Sequence, residues 1–193
     1  MNMKGFIAAA FAAIVSAPLH AQEPLIPQDF LQTAPAAYYH YEQNVLECIA
    51  WLTETPLEAD SFDRRAIGSF IDAWLRETPS IRISLDPALT AFLDGTQYFE
   101  EQMTVYAGGY AAGLLELKRE NGTLGKMTLS PRGLSDEDRT AGAARAIEYS
   151  IAFYDRNRDL LGRNGKLERF KKMQEKGTLR QYVEANLYRP DDQ

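Results

Sequence analysis

Apolar residues recur every three or four positions along most of this chain, which is the spacing of an α-helix with one buried face. The first stripe consists of Tyr38, Tyr41, Val45, Cys48, Ile49 and Leu52, and the second of Phe62, Ala66, Ile67, Phe70, Ile71, Trp74 and Leu75. Each stripe ends at a Thr-Pro pair, and the residue before a proline is disfavoured in helical conformation. We therefore predict one helix from Ala36 to Thr55 and a second from Asp60 or Ser61 to Thr78.

The middle of the chain contains one segment whose pattern is not helical. Residues 80–86 (SIRISLD) alternate apolar and polar side chains, as a strand does, but a lone strand has nothing to pair with. We therefore predict a short extended segment here. The Asp86-Pro87 pair then predicts the start of a short helix, with Gly95 as its C-terminal cap.

Start and stop signals delimit four further helices. Ser135 precedes three acidic residues, and this is a strong N-terminal signal, because the serine caps backbone N–H groups and the acids oppose the helix dipole. Gly162 and Gly177 mark helix ends. The predicted helices begin at Thr96 or Gln97 and end near Asn121, then run over 135–161, 165–177 and 178–188, with a loop at 122–133. The predicted fold class is all-α, a compact multi-helix bundle of about six or seven helices that could be built from helical hairpins.

The hexapeptide WLTETP at residues 51–56 returns as WLRETP at residues 74–79. The similarity stops upstream of the preceding alanine and no third copy follows, whereas a solenoid needs at least three similar units. We interpret the pair as two helices that end in the same way, with Trp-Leu entering the core and proline ending the helix. Two alternatives stay open: a degenerate two-copy helical hairpin repeat, and a ligand cage built from Trp51 and Trp74.

Residues 1–21 have the pattern of a signal peptide, because Lys4 is followed by an apolar run that is too short to span a bilayer. Cleavage is expected at the end of this segment. We expect residues 22–35 to be an irregular Pro-containing lead-in and residues 36–190 to form a single helical domain. No second apolar stretch of spanning length follows, so we predict no membrane insertion after signal removal and a periplasmic or secreted location.

The charge distribution along the chain narrows the range of partners. Residues 22–101 carry fourteen acidic and four basic side chains, and residues 102–193 carry thirteen acidic and sixteen basic ones. An acidic half disfavours nucleic acid and anionic membrane surfaces as partners.

Cys48 is the single cysteine, which excludes an internal disulfide. Its place on an apolar helical face favours a buried packing role over a reactive thiol.

The sequence motifs that usually mark catalytic, metal and cofactor sites are missing. After the predicted signal peptide the chain has one histidine, His40, and neither HExxH nor CxxC spacing occurs. Residues 155–159 (DRNRD) imitate the start of a calcium loop, but Leu160 replaces the glycine and Lys166 the bidentate glutamate. We predict no catalytic residue, no cofactor and no metal site. Carboxylate pairs stay as candidates for acid–base chemistry, namely Glu42/Glu47, Glu100/Glu101 and Glu116/Glu120.

The most unusual stretch is YAGGYAAG at residues 106–113, because a glycine inside a helix costs about 1 kcal/mol relative to alanine. Gly109 and Gly113 are four residues apart and would form a smooth stripe that lets another helix pack closely. The small-residue run TAGAARA at 140–146 is the candidate for that helix. The alternatives are a ligand or partner groove and a break in the helix. If the stretch forms a surface, the candidate partner or ligand residues are Tyr106, Gly108, Gly109, Tyr110 and Gly113.

Five landmarks taken together are more specific than any one of them, namely WLxETP, WLRETPSIRISLD, YAGGYAAGLLEL, AARAIEYSIAFYDRNRDLLG and LERFKKMQEKGTLRQYVEANL. By these landmarks the chain resembles a group of exported all-helical proteins of Bacteroidetes-like bacteria, a domain of unknown function. The resemblance covers about residues 40–187. It implies a helical fold and an exported location, and it carries over no catalytic residue.

These observations favour an exported, non-catalytic binding or interaction protein of the bacterial envelope, whose partner is another envelope protein or a small ligand. One alternative is a carboxylate-based hydrolase of cell-wall or sugar substrates, which would need two facing carboxylates about 5–10 Å apart in a deep cleft. A second alternative is a carrier of a small apolar ligand, which would need an enclosed apolar cavity. A shallow apolar and aromatic patch would favour the binding protein.

Overall fold

The computed structural model describes residues 24–59, 61–128 and 134–187. Among these residues it contains eight α-helices and no β-strand, with the helices α1 (Glu42–Glu54), α2 (Ser61–Glu77), α3 (Pro87–Thr90), α4 (Phe99–Glu120), α5 (Asp136–Arg156), α6 (Arg158–Leu161), α7 (Gly165–Glu175) and α8 (Leu179–Asn186). Three 3-10 helices occupy Phe30–Gln32, Pro35–Tyr41 and Ala91–Leu93. The predicted all-α bundle is confirmed. The predicted signal peptide and the ends of the predicted domain and loop, 188–190 and 129–133, lie outside the described residues.

The core is organised around α4 and α5, which form the most extensive helix pair of the molecule. α1 lies across both of them, α2 packs on α1 and α4, and α7 and α8 both pack on α5. The largest fully buried side chains include Trp74, Tyr106, Tyr110, Phe153 and Tyr154. Burial of this apolar surface is the main favourable contribution to folding. In the described part of the chain, we find no helix that is both long and apolar enough to span a membrane.

The segment before α1 contains two 3-10 helices and is packed into the core. Phe30 is 3% exposed, and its ring centroid lies 4.7 Å from that of Tyr38 and 4.8 Å from that of Phe70. The carbonyl oxygen of Leu25 accepts hydrogen bonds from Asn44 Nδ2 at 3.3 Å and from Cys48 Sγ at 3.6 Å. The lead-in therefore contributes a buried aromatic side chain to the core of the bundle.

The two WLxETP copies do end two helices in the same way. Thr55 N donates to Trp51 O, and Thr78 N donates to Trp74 O, each at 2.9 Å. Trp74 is fully buried and donates from Nε1 to Tyr38 O at 2.9 Å, whereas Trp51 is half-buried. The two tryptophans serve packing at different depths, which supports the interpretation as matching helix ends.

Several helix boundaries differ from the prediction. α1 starts at Glu42, because residues 36–41 of the predicted helix belong to the 3-10 helix Pro35–Tyr41. α4 starts at Phe99 because Tyr98 adopts a left-handed conformation with φ 57°, which cannot continue a right-handed helix. α5 ends at Arg156 because Asn157 interrupts the helical run. The Asn157 side chain donates to Phe153 O at 2.9 Å and accepts from Leu57 N at 2.7 Å. This interruption separates α6 from α5.

Other predicted signals are confirmed, but Gly95 does not cap α3, which ends at Thr90 and is followed by the 3-10 helix Ala91–Leu93. Ser135 and Asp138 form a reciprocal capping box at the start of α5, and the Asp86 carboxylate caps α3 by accepting from Ala88 N at 3.2 Å. Residues 81–86 form neither a helix nor a strand. Gly177, between α7 and α8, has φ 68°, which favours glycine over residues with a side chain.

Candidate functional site

The five residues predicted as a possible partner or ligand surface lie in the interior instead. Tyr106, Gly108, Gly109, Tyr110 and Gly113 are all buried in α4. A surface interpretation of this stretch is therefore wrong, because no partner can reach these side chains or glycine Cα atoms in the folded protein.

The glycines of α4 allow a close helix crossing. A Cβ atom placed on Gly109 would lie 2.9 Å from Ala146 Cα, and one on Gly113 would lie 2.8 Å from the carbonyl oxygen of Ala141. Such distances are shorter than real Cβ contacts, so only glycine permits α5 to come this close. The partner helix is the predicted small-residue run at 140–146. We call this contact the sealed crossing.

The ring of Tyr110 extends the sealed crossing. A Cβ on Gly142 would lie 2.4 Å from Tyr110 Cε1, so this glycine makes room for the Tyr110 ring. Burial raises the pKa of Tyr110 to about 12, and the charge of Arg139 partly offsets this effect. Burial also raises the pKa of Tyr106, whose hydroxyl finds no hydrogen-bond partner among the described residues. Both rings belong to the core.

A groove of about 680 Å³ opens on another side of α4, between its first turns and α2. Gly68 and Ser69 lie midway along the α2 wall, and Thr104 lies on the α4 wall. The floor includes Leu52 and Val105, which are 4% and 2% exposed. A Cβ on Gly68 would lie 3.9 Å from Thr104 Cγ2, an ordinary van der Waals distance. We call this contact the open crossing and the space beside it the α2–α4 groove.

Opposite charges line the two walls of the α2–α4 groove. Arg65, Asp72 and Arg76 lie on the α2 wall, where Arg76 and Asp72 form an ion pair with side chains that are 73% and 53% exposed. Glu100 and Glu101, in the first turn of α4, lie on the other wall. The α2 wall is therefore net positive and the α4 wall is negative.

Arg64 joins α2 to the end of α1 at the base of the groove. It is 7% exposed and donates to Leu52 O at 3.2 Å, to Pro56 O at 3.1 Å and to Thr55 O. Burial lowers the pKa of Arg64, and Glu101 opposes that shift. A cation at the carbonyl end of a helix is stabilised by the helix dipole. Arg64 therefore fixes the position of the groove wall.

The guanidinium of Arg64 also packs on aromatic rings. Its Cζ lies 5.7 Å from the centroid of Trp51 and 5.9 Å from that of Phe153. Such cation–π contacts stabilise a guanidinium that has lost water. The first WLxETP copy thus supplies part of the support for the groove.

Tyr98 lines the α2–α4 groove at the start of α4. It is the one non-glycine residue with positive φ in the described part of the chain. This conformation costs about 1–3 kcal/mol for residues other than glycine, and such strained residues cluster at active sites, ligand clamps and switch regions. The strained residue therefore adds to the reasons for treating the groove as the candidate site.

Sequence reasoning missed the groove because its residues look ordinary in the chain. The sequence pattern predicts that Phe62 belongs to the buried stripe of the second helix, but its side chain is 72% exposed. Helical spacing puts it on the same face of α2 as Arg65 and Ser69, which line the groove. Phe99 also lines the groove and is 46% exposed. The sequence signal that could have indicated the groove was an aromatic residue at the edge of the apolar stripe of α2.

The acids proposed as candidates from the sequence take different positions: Glu100 and Glu101 line the α2–α4 groove together, whereas Glu42 and Glu116 join helices. Glu42 is fully buried, forms an ion pair with Lys118 and accepts from Gly125 N at 2.8 Å, which ties the loop after α4 to α1. Glu116 accepts from Arg145 at 2.8 Å across the sealed crossing. These two acids therefore hold helices together.

The other candidates for chemistry have packing or surface positions. Cys48 is fully buried, and burial raises the pKa of its thiol to about 12, which agrees with a packing role. His40 is exposed, with its ring centroid 4.1 Å from that of Tyr39. Asp155, the first residue of the calcium-like segment, binds Lys171 Nζ at 2.6 Å. No cluster of metal-ligating side chains is found among the described residues.

Comparisons of the chain with protein-family models, curated proteins and solved structures found no match. The resemblance to exported helical proteins of Bacteroidetes-like bacteria stays a prediction.

Proposed function

We propose that this protein is an exported, non-catalytic binding protein of the bacterial envelope, and that its partner is held in the α2–α4 groove. The groove itself is the observation that carries the proposal. Its volume of about 680 Å³ falls within the 300–1,000 Å³ range of ligand-binding clefts. Apolar residues form its floor, and polar and charged residues form its rim, which is the usual arrangement of a recognition surface.

The exposed aromatic rings support binding by this surface. Phe62 and Phe99 are two of the five large apolar side chains that are exposed in the described part of the chain. Exposed aromatic residues beside a cleft are typical anchors for a partner, because they bury a large area with little loss of conformational freedom.

The hydrolase alternative has less support. A general acid needs a carboxyl group that is shielded from water. Among the described residues, none of the three acids that line the groove is buried: the Asp72 side chain is 53% exposed and paired with Arg76, Glu100 is exposed, and Glu101 is half-buried. The carrier alternative would need an enclosed cavity, whereas the α2–α4 groove is open to solvent.

A photoreactive amino acid at Ser69 tests the proposal. Ser69 is exposed and lines the groove, so p-benzoylphenylalanine at this position would face a bound partner without disturbing the core. The protein would be irradiated in envelope extract of its source cells. Gln181, exposed on α8, is the control position. We expect one discrete adduct from Ser69 and none from Gln181. Equal adducts from both positions, or none from either, would contradict the proposal.

A further inference from the structure

The α2–α4 groove has the length of a short helix. Its α2 wall runs from Arg65 to Arg76, which at 1.5 Å per residue is about 16 Å, or three helical turns. Midway along this wall stand Gly68 and Ser69, whose small side chains let a bound element approach closely. A helix lying in the groove could therefore contact α2 and α4 together.

The floor of the groove provides an apolar strip along which an amphipathic helix could bury one face. Leu52 and Val105 are buried there, and Leu57 and Met103 are half-buried. Helix-in-groove recognition uses apolar anchors spaced three, four and seven residues apart on the bound helix. The exposed ring of Phe99 would cover the end of such a stripe.

The charges on the two walls determine which flank of a bound helix would be acidic and which would be basic. Acidic residues of a bound helix would face Arg65 and Arg76, and basic residues would face Glu100 and Glu101. The Arg76–Asp72 ion pair does not oppose this arrangement, because exposed pairs contribute about 0–1 kcal/mol and exchange partners readily. Complementary charges of this kind select the partner and its direction.

On the basis of the function proposed above, we propose that the groove binds an amphipathic helix of about three turns in a partner protein. Its apolar stripe lies on the floor, with an acidic flank beside α2 and a basic flank beside α4.

A phage-displayed library of 14-residue amphipathic helices, selected on the full-length protein, tests this proposal. We expect enriched peptides with an apolar stripe between an acidic and a basic flank. Their affinity, measured by fluorescence anisotropy, should fall at least about tenfold on Ser69→Trp, which fills the groove, and stay unchanged on Gln181→Trp. Enrichment of no peptide, or equal binding to both variants, would overturn the proposal.

Charge exchange provides the second measurement. The double variant Glu100→Lys and Glu101→Lys should weaken an enriched peptide about fivefold or more, and a peptide whose basic flank is replaced by glutamate should recover this loss. A purely structural role of the two acids would give no such recovery, and that result would overturn the proposed orientation. The thermal midpoint of the variant would be measured in parallel, because both acids also favour the N-terminus of α4.

The two experiments separate the two proposals. An adduct from Ser69 that contains a saccharide, a lipid, a small molecule or a second copy of this chain would overturn the helical partner while leaving the groove as the binding site. The absence of a Ser69-specific adduct would contradict the proposed function itself. Enriched peptides that prevent the Ser69 adduct from forming would support both the proposed function and the helical partner.

Discussion

Helix α4 meets two neighbours in opposite ways. Where it crosses α5, a Cβ on Gly113 would lie 2.8 Å from a backbone oxygen, so the two backbones touch and no space is left. Where it crosses α2, a Cβ on Gly68 would have an ordinary contact at 3.9 Å, and a groove opens alongside. Both contacts contain glycine, but glycine is required by geometry at the sealed crossing alone. An unusual glycine pattern is therefore a guide to close packing and a poor guide to a binding surface.

The largest effect should come from Gly113→Leu. The new side chain would collide with the backbone of α5, which cannot move without separating the central helix pair. We expect the free energy of unfolding, measured by urea denaturation, to fall by about 3 kcal/mol or more.

The matched control for this experiment is Gly68→Leu, which makes the same substitution at the open crossing. Its side chain can extend into the groove, so we expect a change within about 1 kcal/mol. Equal losses in the two variants would show that the two crossings are packed alike.

The sealed crossing was partly predictable from the sequence, because its signal is local. Gly109 and Gly113 in one helix and a second small-residue run at 140–146 predict that two helices approach closely, and the structure agrees. Proline, glycine and Ser135 likewise mark most helix ends within a few residues. Local steric rules decide these features, so they can be read from short stretches of sequence.

The open crossing was not predictable, because a groove exists where side chains fail to meet. Phe62 continues the apolar stripe of α2, and nothing in its neighbourhood shows that no helix covers it. The end of α5 depends in the same way on a distant contact, since Asn157 binds the backbone of Leu57, 100 residues earlier. The left-handed conformation of Tyr98 has no sequence signal either. The groove, the end of α5 and the conformation of Tyr98 all depend on tertiary contacts, which short stretches of sequence do not show.

A smaller loss should follow Gly142→Ala, which tests the ring side of the sealed crossing. The added methyl group would lie 2.4 Å from Tyr110 Cε1 and would displace a buried ring. We expect a net loss of about 1–2 kcal/mol after the gain in helix propensity is included. A double-mutant cycle with Tyr110→Leu should give a coupling energy of at least about 1 kcal/mol, because the smaller side chain relieves the collision. Additive effects would mean that the glycine and the ring do not interact.

Alkaline pH should weaken the sealed crossing through Tyr110. The unfolded chain releases the phenolic proton near pH 10, whereas the folded protein keeps it until about pH 12. The folded state then binds more protons than the unfolded state, so stability falls as pH rises through this window and is fully present below it. We expect the stability difference between wild type and Tyr110→Phe to change by about 1 kcal/mol between pH 9 and pH 11. The stability difference would be measured by urea denaturation at each pH. A difference that stays constant would contradict a raised pKa of the Tyr110 hydroxyl in the folded protein.

The smallest expected effect is a gain, from Gly68→Ala at the open crossing. Gly68 lies inside α2, where alanine is favoured over glycine by about 0.5–1 kcal/mol, and its Cβ would meet Thr104 at an ordinary distance. Urea denaturation should therefore show a stability increase of up to about 1 kcal/mol. Gly109→Ala is the matched comparison, because the same methyl group would lie 2.9 Å from Ala146 Cα and offset any gain in propensity. A loss of stability in Gly68→Ala would mean that α2 and α4 pack as tightly as α4 and α5. That result would remove the physical basis for a groove between them.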